Sequence, residues 1–408
     1  MLKVIKENLD EIMKWANFVF LFLFSLHLYD FPDKYIILWC GFSMLVFIIL
    51  HKNACLDKIF WILALAIILN GLGTYYYVGD SLGYTWKNVF KMVIPVIIMY
   101  PYMKQLMCNI KDEDTEKIVL AIVLGTFLYS ILNYYSFCKM GKIFLNGERR
   151  SWCDFWSGYG WAATHYSFWG CFIAGLSGYG VFLLYERKWL KGLLLLFLVA
   201  IENYIQIAVD NRMVICITVV SLTVSLLLFL YLNINDKIKI KKTIFLILAV
   251  VAMTFFVVAI NLFDIQSSSY LHNFISRDGG ILKNNRFQMI YEAIIMLPSH
   301  WKGGATMWAA GNAWVHNYWL QVANVSGIIP FSLWMIVNIS AMIDTIKVMR
   351  CQCISDEIKF MVIPLISAIV GYLMMEPGGT ELNRYIIFYV LLIALMKQIV
   401  ANKTCSKE

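Results

Sequence analysis

The chain has 408 residues, of which 61% are hydrophobic and only 15% are charged. Soluble proteins contain about 45–50% apolar and about 25% charged residues, and a soluble fold of this size cannot cover so much apolar surface. The composition therefore excludes a disordered chain, a secreted disulfide scaffold, a DNA-binding module and a large soluble enzyme. We predict an all-α, polytopic transmembrane protein, whose net charge of +8 reflects membrane topology rather than nucleic-acid binding.

Apolar runs separated by polar breaks predict about 12 membrane spans of roughly 20 residues each. They lie near residues 12–30, 35–50, 58–74, 88–101, 117–138, 162–185, 190–208, 212–232, 243–263, 317–346, 359–375 and 383–400. No repeat period and no Pro/Gly/Ser-rich linker divides the chain. Residues 1–408 are therefore expected to form a single integral membrane domain.

The distribution of positive charge orients these predicted spans. Most of the 34 Lys and Arg residues lie in the two tails and in alternate loops, and the densest stretch is Asn235-Asp-Lys-Ile-Lys-Ile-Lys-Lys242. Cytoplasmic loops of membrane proteins are enriched in Lys and Arg. The bias predicts that both termini and residues 233–242 are cytoplasmic, whereas residues 139–161 and 264–316 face outside.

The Lys and Arg residues predicted to lie outside concentrate in two long loops and at helix ends: Arg149, Arg150, Arg212, Arg277, Lys283, Arg286 and Lys302. Because the topology rule disfavours external cations, their presence requires another reason. For any single residue, snorkelling to lipid head groups is the simpler explanation. For the set as a whole, we favour an anionic substrate at the outer face.

Residues 264–316 form the longest polar stretch and are expected to be an external loop that carries an amphipathic helix. Its apolar residues follow helical spacing and end at a proline: Phe287, Ile290, Tyr291, Ile294, Ile295 and Pro298. Asn284 and Asn285 are suitable caps, which places Arg286 in the first turn. A cation in that position opposes the helix dipole unless an anion is nearby.

Arg212 is predicted to occupy the same kind of position. Asp210 or Asn211 can cap the span near 212–232, which begins at the outer face in the predicted topology. Free backbone N–H groups together with a guanidinium form a good phosphate site. Two such arginines favour an anion-binding site, and the alternative is two ordinary capped helices with solvated arginines.

His316 lies where the long external loop enters the next predicted span. A neutral imidazole near the membrane surface can accept a proton at physiological pH, which suits a general base. Most single histidines have no such role, and His165, at the outer end of the span near 162–185, is the other candidate. His27 and His51 lie in regions of the chain that do not suit this role, and His272 and His300 lie in loop without a pattern. Clusters of metal ligands are absent from the sequence.

These features resemble the O-antigen polymerase and O-antigen ligase superfamily of bacterial envelope enzymes. The resemblance is carried by Asp-Asn-Arg212-Met before a span, Asn-Arg286-Phe-Gln in the long loop, and His316-Asn317-Tyr-Trp-Leu-Gln entering the next span. Gly327 follows the His-Asn pair after an apolar run, and Glu376-Pro377 precedes the final span. About 12 spans with one large external loop fit the family across nearly the whole chain.

The resemblance implies a GT-C-like, metal-independent glycosyltransferase without a cofactor. The donor would be a glycan on undecaprenyl diphosphate, the acceptor a second glycan, and a chain-length regulator protein a further partner. Arg212 and Arg286 would hold the diphosphate, and His316 would take the proton of the acceptor hydroxyl. We expect Asn317, Arg149, Arg150 and Arg384 to contact these substrates. The enzyme would lie in the bacterial inner membrane with its active site in the periplasm.

Two related functions and one unrelated function remain open at this stage. A polymerase joins one lipid-linked repeat unit to another, and a ligase transfers the glycan to the lipid A core. We favour the polymerase, because a Lys-, Tyr- and Cys-rich sequence with degenerate motifs is typical of these polymerases. A transporter or flippase for lipid-linked sugars would instead place basic residues within the spans, where this sequence has little charge apart from Glu202.

Overall fold

The chain is described here by a computed structural model. The described residues are 2–28, 33–52, 56–82, 85–110, 112–140, 143–145, 149–158, 160–209, 211, 213–233, 285–304, 315–375 and 383–404. The predicted span near 243–263 and the predicted cytoplasmic loop at 234–242 lie outside these residues.

The described part of the chain consists of α-helices and one small sheet. The helices before the sheet are α1 (Leu2–Ser25), α2 (Asp33–His51), α3 (Lys58–Leu82), α4 (Trp86–Cys108) and α5 (Asp112–Met140). The helices after it are α6 (Ala163–Gly175), α7 (Ser177–Tyr185), α8 (Trp189–Ala208), α9 (Met213–Leu232), α10 (Asn285–Met296), α11 (Tyr318–Ser326), α12 (Ile328–Arg350), α13 (Asp356–Met375) and α14 (Asn383–Thr404).

The small sheet was not predicted from the sequence. Its strands are β1 (Ile143–Leu145), β2 (Arg149–Cys153) and β3 (Gly160–Ala162), and both strand pairs are antiparallel. The strands lie between α5 and α6, within the predicted external segment 139–161. Three such short strands carry little periodicity, so the pairing between them is visible only in three dimensions.

Nine helical segments in the described part of the chain are long and apolar enough to cross a membrane. They are α2, α3, α5, the α6–α7 pair, α8, α9, α12, α13 and α14. From Tyr166 to Leu184 every residue is buried inside the protein, whereas in α2 only Ile36, Cys40, Ser43 and Phe47 are buried. The protein is therefore a multi-pass helical membrane protein with an inner and an outer layer of helices.

Three predicted spans differ from the observed helices. The predicted spans near 12–30 and 88–101 correspond to α1 and α4, which are not among the nine. The run in α1 is interrupted by acidic and basic residues, and α4 contains lysines and two prolines. The predicted span 317–346 is wrong at its start, because the chain breaks at Gly327 and the apolar span begins at Ile328.

The centre of the bundle is formed by the α6–α7 pair and α14. The Phe388 ring of α14 lies 5.0 Å from that of Phe172 and 6.1 Å from that of Phe168, between ring centroids. Around this centre α14 packs on α4, α1 on α5, and α9 on α13. Aromatic side chains fill the contacts because each covers a large apolar area.

The two ends of the bundle are held by different contacts. One end, which we call the terminal end, includes the start of α1 and the end of α14, where Asn402 donates to the Met107 carbonyl oxygen at 3.0 Å. The opposite end, the loop end, includes the end of α1 and the small sheet. There the Trp156 indole N–H donates to the Leu26 carbonyl oxygen at 3.2 Å. All the predicted site residues within the described chain belong to elements of the loop end.

Candidate functional site

His316 and Asn317 lie immediately before α11 at the loop end. Asn317 is the N-cap residue, and its side chain accepts a hydrogen bond from the Leu320 backbone N–H at 3.0 Å. Its amide nitrogen donates to the carbonyl oxygen of Met374 at 3.3 Å, near the end of α13. The Asn317 side chain therefore fixes the start of α11 to α13, while its predicted contact with substrate remains a prediction.

His316 is partly buried beside this capped helix start. The first N–H groups of a helix carry a partial positive charge and have no partners within the helix. Asn317 satisfies one of them, and His316 directly precedes this capped residue in the chain. Such a position suits a general base, because a base must be held within hydrogen-bond reach of the proton that it removes.

The predicted amphipathic helix exists and packs against α11. It is α10, which begins at Asn285 and ends at Met296, so the predicted helix before Pro298 is confirmed. The Asn324 side chain of α11 donates to the Ala293 carbonyl oxygen at 3.4 Å. Arg286 is in the first turn of α10, roughly 10 Å along the axis from Ala293. Its side chain lies outside the described part, but its helix contacts the helix that begins beside His316.

Tyr291, Ile294 and Ile295 of α10 are exposed, with exposed fractions of 64%, 51% and 56%. Ala293, on the opposite side, is buried against α11. These three residues of the predicted apolar stripe thus point away from the protein, while a small residue makes the close contact. This arrangement is typical of a helix that lies in the membrane interface.

The segment that follows α10 is anchored at the break between α11 and α12. The Gly304 N–H donates to the Val325 carbonyl oxygen at 3.0 Å, and the Ile328 N–H donates to the Trp301 carbonyl oxygen at 2.9 Å. Gly303 and Gly304 also pack closely on the Tyr77 ring, where an added Cβ would lie 2.9 and 2.6 Å from ring atoms.

Arg384 lies in the first turn of α14 and is partly buried. Its charge acts electrostatically on the imidazole of His27, which follows α1 and is buried. The His27 ring lies between those of Tyr129 and Trp169, at 4.9 and 5.3 Å between centroids. The structure thus places His27, which the sequence analysis did not select, within the electrostatic reach of Arg384. The sequence feature that could have identified His27 is its position at the end of an apolar run, a feature that it shares with His165.

Arg149 and Arg150 lie on β2, where they pair with Leu145 and Phe144 of β1. Their side chains lie outside the described part of the structure, but the loop after β2 is firmly held. Asp154 in this loop is buried and accepts hydrogen bonds from the Tyr129 hydroxyl and from the Trp156 and Ser157 backbone N–H groups. The sheet that carries both arginines is thus fixed to α5.

Arg212 itself lies outside the described residues, but its two neighbours are described. Asn211 is buried, and its side chain accepts a hydrogen bond from the Met213 backbone N–H at 2.9 Å. The Asn211 N–H donates to the Gln206 carbonyl oxygen at 2.8 Å. The prediction of a cap at the start of α9 is confirmed for Asn211, so Arg212 is flanked by a fixed turn and a helix N-terminus.

The predicted site residues are therefore spread over elements that meet at the loop end. His316 and Asn317 precede α11, Arg286 is on α10, Arg384 is on α14, and the sheet carries Arg149 and Arg150. His165, the alternative base, lies in the first turn of α6, and its side chain is outside the described part. Within the described residues, no group of three or more His, Cys, Asp or Glu could hold a metal ion.

Compared with models of known protein families, the chain matches none. A search of curated proteins likewise finds no match to it. The resemblance to the O-antigen polymerases and ligases therefore remains a prediction.

Proposed function

We propose that this protein is a membrane glycosyltransferase that polymerises oligosaccharide repeat units carried on undecaprenyl diphosphate. The observation that carries this proposal is the contact between α10 and α11. It connects the helix that begins with Arg286 to the helix whose capped start adjoins His316. A positively charged group near a candidate base is what transfer from a diphosphate donor requires.

In the proposed reaction, the acceptor hydroxyl attacks the anomeric carbon of the donor glycan. His316 takes the proton of that hydroxyl as the new C–O bond forms. The bond between the anomeric carbon and the diphosphate oxygen breaks, and the undecaprenyl diphosphate leaves with the electron pair. Arg212 and Arg286 stabilise the negative charge on the leaving diphosphate. No step uses a metal ion or a cofactor.

The proposed location is the bacterial inner membrane, with both termini in the cytoplasm and the loop end in the periplasm. Lysines at the terminal end support this orientation, since cytoplasmic ends are rich in Lys and Arg. Lys104 pairs with Asp57 at 2.5 Å, and Lys188 pairs with Glu357. The chain-length regulator and the contacts of Asn317, Arg149, Arg150 and Arg384 with substrate belong to the same proposal.

A sugar transporter is less well supported than an enzyme. A transporter for anionic lipid-linked sugars needs cations along a path through the bundle. The buried lysines of the described chain, Lys104 and Lys359, pair with Asp57 and Asp356 near the terminal end instead.

The test is a reconstitution of the purified protein in liposomes with the lipid-linked repeat unit alone. A polymerase converts the unit into a ladder of longer glycans on the carrier lipid. A ligase yields product only when lipid A core is added, and a flippase moves the unit across the bilayer without lengthening it. Absence of a ladder from a folded protein would reject the polymerase. In cells, deletion of the polymerase should leave lipid A core capped with a single repeat unit.

A further inference from the structure

A carboxylic acid is buried in the bundle outside the proposed site. Glu202 of α8 has no exposed surface. Its Oε1 atom accepts hydrogen bonds from the Ser130 hydroxyl of α5 at 2.9 Å and from the Gln206 amide nitrogen at 2.6 Å. On α6, Gly170 leaves the space that this carboxyl fills, since a Cβ there would lie 2.4 Å from Oε1. Three helices therefore meet around one acidic group.

Glu202 lies in the half of the bundle near the loop end. Its partner Ser130 follows Tyr129, whose hydroxyl donates to Asp154 in the loop after β2. On α8 itself, Gln206 leads to the turn that carries Asn211.

Two oxygen atoms of this cluster have no hydrogen-bond partner among the described residues. The second carboxyl oxygen of Glu202 and the amide oxygen of Gln206 are both buried, and neither makes a hydrogen bond with the described residues. Gln206, like Glu202, has no exposed surface. A buried acceptor without a donor destabilises the folded protein, and an isolated buried carboxylate does so far more strongly. The two atoms therefore require a shared explanation.

One proton satisfies both oxygen atoms. We propose that Glu202 and Gln206 form a proton-binding site, in which the second carboxyl oxygen of Glu202 carries the proton at neutral pH and donates it to the Gln206 amide oxygen. The Gln206 amide nitrogen already donates to the other carboxyl oxygen. The added bond closes a cyclic acid–amide pair with one donor and one acceptor on each side. The ligand of this site is a proton taken from water.

The surroundings favour the neutral acid over a carboxylate. Within the described chain, no cation pairs with Glu202. Among the described side chains, the titratable groups near its level on the helices packed against α8 are phenols and thiols: Tyr129 and Tyr134 on α5, Tyr166 and Cys171 on α6, and Cys216 on α9. The side chain of His165, in the first turn of α6, lies outside the described part. Asp154 is a further acid near Tyr129, and Tyr204 belongs to α8 itself. Arg212 precedes α9 and lies outside the described residues. The experiment must therefore measure the protonation of the Glu202 carboxyl directly.

Infrared spectroscopy of the reconstituted, full-length protein provides that report. A protonated carboxyl has a C=O stretching band that a carboxylate lacks, and this band shifts in D2O. We expect the wild-type protein to keep such a band at neutral pH, and we expect Glu202→Gln to lose it. Gln206→Leu should keep the band but shift its frequency, because the acid then lacks its amide partner. If Glu202→Gln fails to fold, the band shift in Gln206→Leu still tests the proposal.

A matched control is present in α10, where Gln288 donates to Glu292 at 2.9 Å with the same four-residue spacing. That pair is exposed, so Glu292→Gln should leave the neutral-pH band unchanged. A wild-type protein without the band, or a Glu202→Gln protein that keeps it, would overturn the proposal. The spectra are recorded in NaCl and in choline chloride. Loss of the band in NaCl alone would identify a sodium site and also overturn the proposal.

Discussion

The amide nitrogen of Asn317 lies 3.3 Å from the carbonyl oxygen of Met374, so one hydrogen bond joins the start of α11 to the end of α13. The same side chain caps α11 through the Leu320 N–H. Because His316 directly precedes this doubly bound residue, the candidate base rests on a fixed backbone. Mutations can therefore distinguish the proposed catalytic role of His316 from the contribution of Asn317 to stability.

His316→Ala should slow polymerisation by on the order of 100–10,000-fold while leaving donor binding nearly unchanged, as expected for loss of a positioned base. Asn317→Ala should instead lower the free energy of unfolding by about 1 kcal/mol through loss of the cap. The measurements are ladder formation and donor binding with reconstituted protein, beside thermal unfolding. His165→Ala is the control, and a larger loss of activity in that variant would reject His316 as the base.

Arg212→Ala and Arg286→Ala should each remove a charge-assisted contact to the diphosphate, worth roughly 1.5–3 kcal/mol. This corresponds to a loss of activity on the order of 10–100-fold. Arg→Lys at each position should restore only part of the activity, because an ammonium cannot form the paired fork of hydrogen bonds. Donor binding is measured with the same lipid-linked unit. Equal donor affinity in the wild-type and Arg→Ala proteins would contradict the assignment.

The proposed orientation can be tested by labelling single cysteines in a Cys-free variant with an impermeant reagent. We expect labelling from outside at positions introduced in 139–161 and 264–316, because these loops are predicted to be periplasmic. Position 239, in the positively charged stretch 233–242, should react only after the membrane is opened. Labelling of position 239 in intact cells would reverse the topology and move the site to the cytoplasm.

Gly327→Ala should destabilise the protein more than Gly158→Ala, although both glycines have positive φ. At Gly158 a Cβ would meet nothing within 4 Å, so only the backbone strain applies, roughly 1–2 kcal/mol. At Gly327 the Cβ would lie 2.6 Å from the Lys302 carbonyl oxygen, and the backbone is in a region almost restricted to glycine. Thermal unfolding in detergent compares the two, and equal losses would contradict this packing.

Asp57 should contribute stability that depends on pH. Burial raises the pKa of its carboxyl, but hydrogen bonds from Lys104 and from the Phe60 N–H and the charge of Lys104 outweigh this effect and hold the pKa below its ordinary value. A lowered pKa in the folded state gives stability that is present above the unfolded value, about 3.9, and is lost as the pH falls through the folded value.

Asp57→Asn keeps the cap of α3 but removes the charge, so it should cost roughly 1–3 kcal/mol at neutral pH. The difference from the wild type should shrink below about pH 4. Asp114→Asn is the control, because the partner Lys117 is largely exposed and such pairs contribute little. Thermal unfolding as a function of pH provides the measurement, and a pH-independent difference would exclude the charge as its cause.

The sequence predicted the features that depend on local patterns. Nine of the predicted apolar spans, the helix before Pro298 and the cap at Asn211 follow from spacing and residue type alone, and the structure confirms them. The features that were missed depend on contacts between distant segments. The break at Gly327 requires the Trp301–Gly304 segment, and the place of His27 beside Arg384 requires α1 and α14 to meet at the loop end. No pattern of residues close together in the sequence indicates either contact.

The break at Gly327 also has a consequence for insertion into the bilayer. Lipid offers no hydrogen-bonding partners, so irregular backbone at membrane depth is tolerated only where protein covers it. Ser326 donates to the Asn70 side chain within the span formed by α3, and the Ile328 N–H next to the break donates to the Trp301 carbonyl oxygen. The segment after α10 thus provides hydrogen-bonding partners for the discontinuous backbone between α11 and α12. We therefore expect the irregular backbone between α11 and α12 to be tolerated at membrane depth only while the Trp301–Gly304 segment packs against it.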